Sequence, residues 1–122
     1  MTPNHSIERM PSRLRRLVPA HVKRYKPKPG KAVQLQQLVG KHLQVLADEG
    51  LVTGKAAHVM RSEDGTLVEV FEWRSADAIE SAHANPAVLA LWSEFAAACE
   101  YVPLASLAES QQMFAEFEPV TV

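Results

Sequence analysis

The stretch Ser62–Ser75, SEDGTLVEVFEWRS, carries a turn, a strand and a helix start in one run. Asp64-Gly65 lies between two β-like segments, the pattern of a hairpin, because glycine accepts the positive φ that such a turn requires. Thr66–Arg74 is rich in β-branched and aromatic residues and reads as a strand. Ser75 is placed to cap a helix, with Asp77 in the favourable first turn. Working outward, Thr53–Arg61 is the strand that pairs across the hairpin. Downstream, Ala78, Ile79, Ala82 and His83 share a helix face. Asn85-Pro86 restarts the helix with a cap and an N1 proline, and Val88, Leu91, Trp92, Phe95 and Cys99 form the next buried stripe. Pro103 ends it, and Met113–Pro119 reads as a last strand.

Upstream, Lys31–Asp48 repeats Leu35, Leu38, Val39, His42, Leu43 and Leu46 at helical spacing, giving one apolar stripe that Gly50 terminates. Gly40 inside it points to close packing on the sheet. Two prolines and a glycine between Lys26 and Gly30 break a first strand, Leu17–Tyr25, in which Val18, Ala20 and Val22 alternate with His21, Lys23 and Tyr25. Residues 1–16 read as a basic tail, leaving 17–122 as one domain. The order is β-α-β-β-α-β, an α+β, ferredoxin-like arrangement with an antiparallel sheet.

Hydrophobic residues make up 47% and charged residues 22% of the 122 residues, an ordinary globular balance. No run approaches the roughly 20 apolar residues of a membrane span, so no membrane partner is expected. No secretory signal is visible, and the one cysteine, Cys99, excludes an internal disulfide; a reducing cytoplasm is the expected location. The net charge of −1 hides an asymmetry. Of 13 Lys and Arg, nine lie at or before Lys31, where Glu8 is the only acid among 14; four basic and thirteen acidic residues follow. A basic arm suits nucleic acid or anionic lipid, but the interleaved aromatics of a single-strand binder are missing. The arm is therefore read as facing acidic strands of its own sheet or of a partner, and nucleic acid is not expected.

Strand alternation points to a dimer. Val68, Val70 and Glu72 share one face of the third strand; Leu67, Glu69, Phe71 and Trp73 share the other. Neither face is uniformly polar. If helices cover one, a second copy packed sheet to sheet is expected on the other.

Val68-Glu69-Val70-Phe71-Glu72-Trp73-Arg74-Ser75, followed by Ala78 and Ala82-His83, resembles the strand-then-helix segment of the antibiotic-biosynthesis-monooxygenase-like superfamily. Lys28-Pro29-Gly30-Lys31 is similar to that group's approach to its first helix. The resemblance spans about Leu17 to Val120 and implies a homodimeric α/β barrel. It also implies a cofactor-independent monooxygenase acting on a small aromatic, quinol- or phenol-like substrate. The alternative is a non-catalytic dimeric small-molecule-binding or accessory module. The haem-degrading members use an Asn, a Trp and a His where this chain has Lys23, Ala82 and Trp92, so haem is not expected.

His83 is the first candidate base, since an imidazole titrates near neutrality; the competing reading is a helix-face histidine packed beside Ile79. Trp73, Phe71, His58 and Tyr25 are read as sharing one strand face and shaping an aromatic cavity. They fit a dimer interface equally well. Arg24 and Arg61 can hold an anionic group or simply be exposed. The histidines at 5, 21, 42, 58 and 83 lack metal-ligand spacing, so neither a metal nor a cofactor is expected. Cys99 reads as a buried, inert thiol.

Overall fold

The computed structural model describes residues 19–122; the basic tail, Leu17 and Val18 lie outside them. Among the described residues the architecture is α+β, with five antiparallel strands and three α-helices, and is compatible with a ferredoxin-like fold. In chain order the elements are β1 (Ala20–Pro27), α1 (Ala32–Asp48), β2 (His58–Arg61), β3 (Leu67–Glu72), α2 (Ala76–Ala82), α3 (Pro86–Ala98), β4 (Cys99–Tyr101) and β5 (Glu118–Pro119). The strands lie side by side as β4-β1-β3-β2-β5.

The hairpin forms where Asp64-Gly65 places it. Ser62 and Thr66 close the loop (N to O, 2.9 Å), and Gly65 sits at φ +91°. Asp64 accepts from the Thr66 amide and the Ser62 hydroxyl, which holds its carboxyl below the ordinary range. Both helix caps also form as read. Ser75 Oγ accepts from Ala78 N at 3.1 Å, and Asn85 Oδ1 accepts from the amides of Ala87 and Val88. These caps satisfy donors that the first helical turn leaves open.

Four expectations are corrected. The fourth strand is Cys99–Tyr101, which follows α3 directly and pairs Cys99 with Pro27, so Cys99 leaves the helix stripe. β1 accordingly runs to Pro27, on the side where β4 is its neighbour. Met113–Pro119 contributes only Glu118–Pro119 to the sheet; two short 3₁₀ turns, Leu104–Ser106 and Ala108–Gln111, precede it. Gly40 packs against Val122 and not the sheet, since a Cβ there would meet Val122 Cβ at 3.4 Å.

Register decides what faces the helices. His21, Lys23 and Tyr25 stand opposite Phe71, Glu69 and Leu67 on one face. Leu35, Leu38, Val39, His42 and Leu46 of α1 and Val88, Leu91, Phe95 and Ala98 of α3 are buried, and their apolar members cluster with the residues of that face. Each large apolar side chain buried there contributes about 1.5–3 kcal/mol. The opposite face carries Ala20, Val22, Val70, His58 and Met60. Val22 is 37% exposed, and the lining of a hollow of about 470 Å³ includes Ala20, His58, Val70, Phe71 and Glu72.

Candidate functional site

The core of this apolar layer is not apolar. Tyr25 on β1, His42 on α1 and Glu69 on β3 are all enclosed, at 1%, 0% and 0% exposure. Tyr25 Oη donates to Glu69 Oε1 at 2.8 Å, and His42 Nδ1 lies 3.0 Å from Glu69 Oε2. A carboxylate only accepts, so Nδ1 supplies the proton of that bond. A neutral ring then carries its lone pair on Nε2, which has no hydrogen-bond partner. The ring is held edge-on to Phe71 and Phe95, with centroids 5.8 and 5.5 Å away. Burial, reinforced by Glu69, pushes the Tyr25 phenol far above its ordinary value, so it stays protonated and keeps donating. The arrangement is an oriented imidazole with one free nitrogen, the geometry in which a carboxylate fixes the tautomer of a general base.

A second group lies further along the same strand face. Trp73 Nε1 donates to His21 Nδ1 at 2.9 Å. Because indole nitrogen can only donate, His21 is the neutral Nε2–H tautomer while this bond stands. Burial, with Lys23 close by, lowers the His21 pKa accordingly. Lys23 Nζ sits 5.5 Å from the Trp92 ring centroid, and His83 meets the same indole edge-on at 5.0 Å. Desolvation lowers the Lys23 pKa, with Glu69 opposing it and Arg24 adding to it.

The candidates read from sequence fall into three places. Tyr25, Phe71 and Trp73 share the helix-facing side, and Phe71 and Trp73 touch, with ring centroids 5.2 Å apart. His58 does not share their strand face: it stands opposite Val70 on the other face and is exposed, because its register against β3 sets the parity, but it and Phe71 both border the hollow of about 470 Å³. Arg24 is on that other face too and donates to the carbonyls of Val102 and Val22. His83 caps the C-terminal end of α2 and is exposed. Cys99 is buried, and burial raises its thiol, as an inert cysteine requires.

Glu69, His42 and His21 were not singled out by the sequence reading. Two signals mark them in retrospect. Glu69 alternates with Leu67 and Phe71 on a buried parity, and His42 occupies a helix stripe that is otherwise aliphatic. Among the described residues, no group of three or more His, Cys, Asp or Glu is placed to hold a metal ion, and no helix is long and apolar enough to cross a membrane. Compared with protein-family models, curated proteins and solved structures, the chain matches none.

Proposed function

We propose that this chain is an antibiotic-biosynthesis-monooxygenase-like protein whose two copies pair sheet to sheet as a ferredoxin-like, dimeric α/β barrel. Its activity in this reading is cofactor-independent oxygenation of a small phenol- or quinol-like substrate. The observation that carries the chemistry is the enclosed His42–Glu69–Tyr25 relay with Nε2 of His42 unpartnered. His42 removes a phenolic proton, and Glu69 stabilises the imidazolium that forms. The substrate anion passes electrons to dioxygen. For a quinol, two electrons and two protons leave the substrate, one oxygen atom enters the product and the other departs as water. Access is supported by a hollow of about 280 Å³ lined by Leu43, Ala47, Val52, Ala57 and Phe71. Phe71 also packs edge-on against His42, with ring centroids 5.8 Å apart, so one ring both lines the hollow and touches the base. His83 is the outer candidate base, with Trp73 and Trp92 as aromatic walls.

The second reading, a non-catalytic dimeric binding or accessory module, is favoured by the filling of the relay's surroundings. Tyr25 stacks on Phe95 at 4.9 Å, and His42 has no exposure. Oxygen uptake with hydroquinone, catechol and 1-naphthol separates the two. Uptake that falls by about 10²–10⁴-fold in Glu69→Gln, with His83→Ala unaffected, supports the relay as the base. Loss in His83→Ala alone moves the base to the helix end. No uptake with any of the three substrates favours the module.

A further inference from the structure

At the hairpin end of the sheet lies a hollow of about 290 Å³ whose lining includes Glu63, Glu109, Glu116, Glu118 and Arg61. Four carboxylates face one guanidinium, and Arg61 is already engaged with Glu118 Oε1 at 3.2 Å and with Gln36 Oε1 at 2.8 Å. Glu109 is the exceptional member. It is only 4% exposed; its Oε2 accepts from the Glu63 amide at 2.8 Å, whereas Oε1 is buried with no partner. A buried acceptor left without a donor is costly, more so when it is charged. A cationic donor entering the hollow would meet that oxygen.

We propose that this hollow binds a guanidinium group, and that the group comes from the chain's own N-terminal arm, at Arg9. Guanidinium suits the lining better than a point charge, since its planar donors can serve two carboxylates at once. The arm can reach. Pro19, whose carbonyl accepts from Trp73 N, marks the far end of β3 from the hairpin. From Trp73 back to Thr66 a strand covers about 25 Å at its usual rise. The chain from Pro19 back to Arg9 extends at most about 35 Å. The sequence also concentrates its positive charge in that arm and its negative charge beyond it.

The Glu63 amide, bonded to Glu109, is the reporter. Its NMR shift is followed in the full chain and in a full chain carrying R9Q, R13Q, R15Q and R16Q, each titrated with arginine amide. The arm, tethered at an effective concentration in the millimolar range, should make the wild type need about tenfold more arginine amide than the arm variant. Adding Glu109→Gln to the arm variant should abolish the saturable shift. Equal affinities for wild type and arm variant would overturn the arm as the source and leave a site for free guanidinium compounds. No saturable shift in the arm variant, or one unchanged by both Glu109→Gln and Glu116→Gln, would overturn the site altogether.

Discussion

Two histidines of one domain illustrate how differently the same side chain is used. His42 shares a buried carboxylate with Tyr25, so His42→Ala strands Glu69 in the core and opens a cavity. The expected loss is about 3 kcal/mol, from a buried carboxylate deprived of one hydrogen-bond donor together with the cavity left by the ring. His83 is exposed beside Trp92, and His83→Ala should cost no more than about 0.5 kcal/mol. Urea unfolding at constant slope measures both, and equal losses would contradict the burial difference. His21 makes a pH prediction. Its folded-state pKa lies below the ordinary value, so the unfolded chain takes up the proton first as pH falls. Its contribution is fully present above about pH 6.5 and declines as pH drops through the lower folded value. The bond from Trp73 breaks with the same transition. Fluorescence of Trp73 in a Trp92→Phe background should therefore titrate with a midpoint below about 6.5; a midpoint above it would contradict the tautomer assigned to His21.

The caps and the turn hold the elements in register. Asn85 Oδ1 serves two amides at the start of α3, so Asn85→Ala should lower stability by about 1 kcal/mol. Gly65, at φ +91°, is where an alanine methyl meets the most backbone strain, and Gly65→Ala should cost about 1–2 kcal/mol. Thermal melts of the two variants check this. A neutral Gly65→Ala would show that the loop relaxes to a different turn. The hairpin also explains why the Glu69 parity is reliable. A one-residue slip would send Glu69, Leu67 and Phe71 to the opposite face together, and the closed Ser62–Thr66 pair prevents it.

For the whole molecule, the partly exposed sheet face is the feature that a dimer would resolve. Ala20 and Val22 are exposed there and Val70 and Met60 half-buried, next to the exposed His58, while Val68 on the same face is buried. Light scattering should return twice the 13.5 kDa chain mass, and Val22→Glu should shift the protein to monomer at micromolar concentration. A wild-type monomer would remove the dimer, and with it the barrel. A Val22→Glu protein that stays dimeric would place the interface elsewhere.

Local chemistry determined what stands in the sequence as punctuation and period: Asp64-Gly65, the caps Ser75 and Asn85, the stripe of α1 and the parity of β3 all depend on neighbours a few residues away. The tertiary structure alone decided what depends on distant partners. Cys99–Tyr101 becomes a strand because β1 offers an edge at Pro27, against a helical period that continues through Cys99. His58 takes the opposite strand face from Phe71 because strand pairing, not composition, sets the register of β2 against β3. The relay is the clearest case. Tyr25, His42 and Glu69 are separated by 17 and 27 residues and meet only when α1 packs on the sheet. A lone polar residue in an apolar pattern shows that something must satisfy it, and only the packed layers show what does.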